Sequence, residues 1–222
     1  MIPLVATLGV FLAIKLPAWL TMDPARAPEP LAGNVTVHYW IMVAHILLGV
    51  ITLATLCLQV WPWLRRRHRT VHRISGRVYV FAGILPTAVL ALVLVAIGSQ
   101  STFGQVGTTI WAMLAISTTV FGFLAARRHR YADHRKWMLY SFGMATNIIT
   151  SRLFTYLVFL IPVIGPKIVS FTQAELEGAW LSWMINWALV YWFLRWTAKR
   201  KLRAAGLPER TVDVPARAGQ PA

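Results

Sequence analysis

Long apolar stretches dominate the chain, and short polar stretches separate them. Six of the apolar stretches have about 20 residues, the length at which an α-helix crosses the hydrocarbon core of a bilayer. They cover residues 2–21, 39–63, 78–97, 108–126, 137–162 and 179–196. None shows the two-residue alternation of a barrel strand, so the pattern predicts helices. The predicted fold class is all-α, a multi-pass transmembrane bundle of about six helices.

The composition supports a membrane protein and excludes several other classes. Of the 222 residues, 57% are hydrophobic and only 13% are charged. A soluble domain uses about a quarter of its residues as charged ones, so this chain has too few to cover itself with polar surface. The hydrophobic content also excludes a disordered chain, and a single cysteine, Cys57, excludes a disulfide scaffold.

The charged residues predict an orientation in the membrane. The 22 Lys and Arg residues outnumber the 7 Asp and Glu residues and give a net charge of +15. Most of the basic residues fall at 65–77, 127–136 and 195–217, whereas the loops at the other ends of the helices hold Arg26 and Lys167. Positive charge marks cytoplasmic loops, so we expect both termini in the cytoplasm and the basic loops against anionic lipid headgroups. Nucleic acid is not an expected partner, because these basic residues flank membrane spans.

The chain has one predicted domain and a tail. Residues 1–205 hold the six predicted helices. The first apolar stretch lacks a basic segment before it, so we interpret it as a retained helix rather than a signal peptide. Residues 206–222 are rich in Pro, Ala, Gly and Arg, which predicts a disordered cytoplasmic tail.

A short motif occurs twice at the predicted cytoplasmic ends of helices. The pattern Arg-Arg-His-Arg, a spacer and His-Arg covers residues 66–73 and again residues 127–135. Each copy links a descending helix with an ascending one. This arrangement favours an internal repeat, in which the central four helices form two hairpins related by an axis along the membrane normal. Basic loops also resemble one another by chance, which is the alternative explanation.

Several residues of the central helices together form a distinctive set. They are His45, Gly49, Gln59, His72-Arg73, Gly76-Arg77, Tyr79, His134-Arg135, Trp137-Met138 and Arg152. With these residues the chain resembles a bacterial family of predicted membrane proteins, domain of unknown function 2306, over residues 38–162. The resemblance implies a multi-pass helical protein of the bacterial cytoplasmic (inner) membrane. It implies no chemistry, so function has to be argued from the residues themselves.

One candidate site lies in the outer half of the predicted membrane. By helical rise, His45 and Arg152 stand roughly 27 and 22 Å above the basic ends of their spans. Asn147 and Ser151 are close to Arg152 in sequence. No carboxylate lies within any predicted span, so an anionic ligand such as a propionate, a phosphate or an organic acid is expected to balance the arginine. Alternatively, Arg152 snorkels to the interface or binds helix carbonyls, and His45 only joins two helices.

The second candidate site is the pair His72 and His134, which occupy matching places in the two motif copies. If the hairpins pack about a twofold axis, these histidines approach each other, with His68 and His129 nearby. Two neutral imidazoles bind haem iron or another transition metal, and the surrounding arginines suit propionates. The alternative is that these histidines contact water or lipid headgroups.

Three functional hypotheses follow. The first is a membrane redox protein that binds haem b or a quinone at the cofactor-binding residues His45, Arg152, His72, His134, Asn147 and Ser151. The second is a small transporter or channel subunit for an anionic or proton-coupled solute. The third is a structural or accessory subunit, or part of an oligomer, without chemistry of its own. No catalytic residue is predicted, because the sequence lacks a phosphate-binding glycine loop, zinc-type cysteine spacing and paired carboxylates.

Overall fold

Helices form almost all of the structure, a computed structural model that describes residues 16–28, 31–98, 101–160 and 171–205 and the single positions 9 and 13. For residues 155–160 and 171–179 it describes the backbone only. Most of the first predicted span and the whole predicted tail lie outside the described residues. The described α-helices are α1 (Leu16–Trp19), α2 (Val35–Val60), α3 (Pro62–Arg67), α4 (Arg69–Val78), α5 (Leu85–Ile97), α6 (Thr102–Arg127), α7 (Tyr131–Ala145), α8 (Asn147–Leu160) and α9 (Phe171–Ala204). A 3-10 turn covers Pro24–Arg26.

A π-helical segment, Tyr79–Ile84, joins α4 to α5. Pro86 follows it and has no backbone N–H, so a regular α-helical hydrogen bond to the carbonyl four residues earlier is not available. Just before the proline, the N–H of Leu85 donates to the carbonyl of Val80, which lies five residues earlier and not four. The wider turn allows α4, the π segment and α5 to continue as one span, Arg69–Ile97. The predicted span at 78–97 is therefore longer and begins inside the basic stretch.

The fifth predicted span, residues 137–162, consists of two helices rather than one. α7 ends at Ala145 and α8 begins at Asn147, with Thr146 in a turn between them. The Thr146 hydroxyl donates to the carbonyls of Phe142 and Gly143, which satisfies backbone groups at the break. Neither helix alone has the length of a full span, so the predicted single span of residues 137–162 is interrupted at Thr146.

The helices pack as a bundle whose core lies between α2, the π segment, α5, α6 and α7. α2 packs along α4, the π segment and α5; α5 packs on α6, and α6 on α7. α9 lies against α8, α7 and α6. By length and composition, three described helical segments are able to cross a membrane: Val35–Val60, Arg69–Ile97 and Thr102–Arg127. The predicted multi-pass helical bundle is confirmed.

Candidate functional site

A tight turn between α6 and α7 places His134 against α6. His129 adopts a left-handed conformation (φ 57°), and the N–H of Arg130 bonds back to the carbonyl of Ala125, which ends α6. The chain then reverses, and Nδ1 of His134 lies 2.8 Å from the carbonyl oxygen of Gly122. A carbonyl only accepts, so Nδ1 carries the proton of the neutral imidazole and Nε2 keeps its lone pair. Such a bond is how proteins orient metal-binding histidines.

The backbone of His72 is held firmly, whereas one nitrogen of its ring has no protein partner. Gln59 of α2 donates through Nε2 to the His72 carbonyl (2.8 Å) and to the Ser75 hydroxyl (2.6 Å). Nδ1 of His72 is buried and has no hydrogen-bond partner among the described residues. His134 lies close enough for the charge of one imidazole to act on the other. The two predicted site residues are therefore within electrostatic range of each other.

Two turns above the histidines, three buried hydroxyls form a chain that the sequence reasoning missed. Tyr79 Oη lies 2.8 Å from Ser141 Oγ, which lies 2.7 Å from Thr119 Oγ1. Thr119 donates to the carbonyl of Ala115, so its oxygen accepts from Ser141, and Ser141 in turn accepts from Tyr79. All three side chains are fully buried. Tyr79 and Ser141 are 62 residues apart, as are His72 and His134. That shared offset was the only signal in the sequence that would have indicated the contact.

Replacing Tyr79 with phenylalanine is expected to weaken the link between the two halves of the bundle. The Ser141 oxygen would lose its donor, while the ring contact of residue 79 with Phe142 would remain. Interhelical hydrogen bonds in membrane proteins contribute on average about 0.6 kcal/mol, and at most about 1.7 kcal/mol. Reversible unfolding in mixed micelles should show a loss within that range. Ser117→Ala is the control, because that residue is half-buried and its hydroxyl donates to the Met113 carbonyl of its own helix. Equal stability of both variants would contradict the assignment.

The histidine pair offers two nitrogen ligands rather than a full protein cage. In the described part of the chain, no three side chains of His, Cys, Asp or Glu gather as metal ligands. His72 and His134 would nevertheless be the residues that hold a haem iron, and the haem would supply one-electron chemistry. A quinone carbonyl would likewise satisfy the Nδ1 of His72 when that nitrogen carries the proton.

His45 lies on α2, away from the histidine pair. Its Nδ1 is 3.1 Å from the carbonyl oxygen of Thr87 on α5, so Nδ1 carries the proton and Nε2 is an acceptor. The Thr87 hydroxyl is buried and lies 3.5 Å from the hydroxyl of Thr52. His45 therefore joins α2 to α5 through Nδ1, and its Nε2 remains able to accept a hydrogen bond from a ligand.

The residues near Arg152 form a polar contact between α8 and α9. Ser182 donates to Oδ1 of Asn147 (2.5 Å), and Thr150 donates to Oδ1 of Asn186 (2.9 Å). The remaining predicted residue, Ser151, donates to the carbonyl of Ile148. Arg152 has an interaction partner within the protein, so its charge alone does not call for a ligand. Among the described helices, α2 is not packed along α8. His45 thus lies between α2 and α5, whereas Arg152 lies on α8, which packs against α9. The structure does not bring the two residues into one site.

The basic end of the molecule, formed by residues 61–73 and 127–136, carries an open depression. Trp63, Arg66 and Arg67 line it, and its volume is about 420 Å³. The Trp63 ring lies against the rings of Trp61 and His68, with centroids 5.5 and 5.0 Å away. Aromatic rings beside arginines are typical of the headgroup layer of a membrane.

Comparison with known proteins gives one informative match. A family model described as "Predicted membrane protein (DUF2306)" matches residues 42–194. The match includes most of α9 and so extends past the central helices on which the sequence resemblance was based. No curated protein matches the chain, and no solved structure does. Since the model covers more than half of the sequence, the chain belongs to the DUF2306 family of predicted membrane proteins.

Proposed function

We propose that the protein is an integral membrane redox protein in which His72 and His134 bind a haem or a quinone. The observation that carries this proposal is the state of the two rings. The Nδ1 of His134 is held against the Gly122 carbonyl, so that Nε2 of the neutral ring is an acceptor, and His72 has a buried nitrogen with no partner among the described residues. A buried polar nitrogen left without a hydrogen bond costs about 1–3 kcal/mol, so a ligand at this point stabilises the protein.

The surrounding charges suit an anionic group on that ligand. Arg65 acts electrostatically on His72, and Arg135 follows His134 directly in sequence. Haem carries two propionates, which arginines bind through paired hydrogen bonds. When bound, a haem supplies one-electron chemistry, whereas the protein fixes the imidazole tautomer and the charge around the group.

The visible absorption spectrum of the purified protein tests this proposal directly. A bound b-type haem is expected to give a Soret band and about one iron per chain. If the protein is colourless, extraction with organic solvent and chromatography should recover a quinone in a near-stoichiometric amount. A preparation that contains neither group would overturn the proposal.

We propose further that both termini face the cytoplasm and that the protein resides in a bacterial inner membrane. The support is the charge distribution, since the basic residues cluster at 65–77 and 127–136 and are few in the loops at the other ends of the helices. In this orientation Arg66 and Arg67 contact anionic headgroups beside Trp63. The partners of this end are therefore lipids.

A structural or accessory role is the second candidate, and one set of contacts favours it. His45 bonds to Thr87, Asn147 to Ser182 and Thr150 to Asn186, so many intramembrane polar groups bond to one another. Such pairs hold helices together without any ligand. The experiment above separates the candidates, because an accessory subunit has neither haem nor quinone.

A further inference from the structure

In the segment of α2 around His45 and Gly49, the side chains are less buried than those of Val43 before it and of Thr52 and Leu53 after it. The buried residues of α2 include Val43 and Thr52, but none of the eight residues 44–51 is buried, although all of them are described. Within this stretch, His45 and Gly49 share a face with Thr52 and Leu56, because the spacing is i, i+4, i+7 and i+11. Since Thr52 and Leu56 are buried in the bundle, His45 and Gly49 point to the same interior side.

This less buried segment lies between two separate hydrophobic clusters. Leu53 and Leu56 belong to the main core, whereas Val43 belongs to a second cluster with Trp19 and Tyr39. A Cβ placed on Gly49 would meet no atom of the described residues within 4 Å. Interiors are normally close-packed, so free space on the inward face of a helix is a cleft. We call the space beside His45 and Gly49 the outer cleft.

The chemistry of the outer cleft selects a class of ligand. Nε2 of His45 is an acceptor, because Nδ1 donates to the Thr87 carbonyl. The neighbouring side chains on α2, Ile46 and Leu48, are apolar, and the whole of α2 carries no Asp, Glu, Lys or Arg. A ligand that fits is therefore neutral and lipid-soluble and brings a hydrogen-bond donor.

We propose that the outer cleft binds a hydroquinone, with a ring hydroxyl donating to Nε2 of His45 and the ring lying in the space left by Gly49. A hydroquinone is a flat apolar ring that dissolves in the bilayer and carries the hydroxyl that the imidazole lacks. This site is separate from the histidine pair at the basic end. A failed haem or quinone test at His72 and His134 leaves it standing, and its own failure leaves that pair untouched.

Binding of tritiated decylubiquinol to the full chain in lipid nanodiscs tests the proposal, under anaerobic conditions and with empty nanodiscs as background. We expect one saturable site per chain in His72→Ala/His134→Ala, in which the histidine pair is removed. Gly49→Leu should fold, because the added side chain enters open space, and should weaken binding at least tenfold. Ala54→Leu adds bulk to an exposed position of the same helix and should bind as the unaltered protein does.

The hydrogen bond to His45 is tested from the side of the ligand, which avoids any effect on folding. The dimethyl ether of the same hydroquinone has no hydroxyl donor, and we expect it to bind about tenfold more weakly, as the loss of one hydrogen bond implies. His45→Phe should bring the two compounds to equal affinity. Equal binding of both compounds by the unaltered protein would mean that a lipid chain or any apolar ring fills the cleft, and would overturn the proposal. Unchanged affinity in Gly49→Leu would overturn it as well.

Discussion

His134→Ala is expected to abolish cofactor binding at the basic end while leaving the helices in place. The substitution removes Nε2, which is the acceptor nitrogen of the neutral ring when Nδ1 donates to the Gly122 carbonyl. Changes to groups that merely orient a metal ligand cost 10–100-fold in affinity, so loss of the ligand itself should cost about 100-fold or more. The measurement is the haem or quinone content per chain after purification, together with the helical content by circular dichroism.

The control for this prediction is His68→Ala in the other basic segment. His68 is exposed and lies against Trp63, so its removal should leave the cofactor content unchanged. His72→Ala should lower the cofactor content as His134→Ala does, because His72 carries the buried Nδ1 that has no hydrogen-bond partner among the described residues. A full complement of cofactor in His134→Ala would show that the group is held elsewhere.

The sequence predicted the helical bundle because a hydrocarbon environment leaves a chain few alternatives. Apolar length alone defined residues 39–63 and 108–126, and the structure has α2 and α6 there. Apolar length did not predict the break at Thr146, since helix-forming residues lie on both sides of the turn. The threonine hydroxyl donates to a carbonyl at the break, and a single threonine in the sequence does not indicate such a bond. The π segment was also missed, although Pro86 was visible, because a proline within an apolar run is compatible with a kink or a wide turn.

For the candidate site, the sequence predicted candidate side chains but not all of their neighbours. The repeated His-Arg pattern predicted that His72 and His134 approach each other, and in the structure they lie within electrostatic range of one another. The helical rise predicted how deep His45 and Arg152 lie along their helices. It did not predict on which side of the bundle each residue lies, because depth is only one of the coordinates that define a position. Two residues at the same depth therefore lie on different helix pairs.

Gly83→Leu is expected to be the most destabilising single change among those considered. A Cβ on Gly83 would lie 3.0 Å from Oγ1 and 3.2 Å from Cα of Thr52, so the backbone of α2 itself limits the space. A leucine adds three further carbons at this contact and forces α2 away from the π segment. Overpacking of this kind costs about 1–3 kcal/mol or more, and we expect at least the upper end. Thermal unfolding should show a midpoint roughly 6–12 °C lower.

Gly49→Leu is the matched control, because the same substitution on the neighbouring α2 enters open space. It replaces a glycine in a helix with a better helix former, so its stability should be equal to that of the unaltered protein or higher by up to about 1 kcal/mol. Two identical substitutions on packed neighbouring elements then differ only in what the new side chain meets. If Gly83→Leu is as stable as the unaltered protein, the close approach at Gly83 does not limit the packing of α2. If Gly49→Leu is destabilised as much as Gly83→Leu, the cleft beside Gly49 is not open in the folded protein.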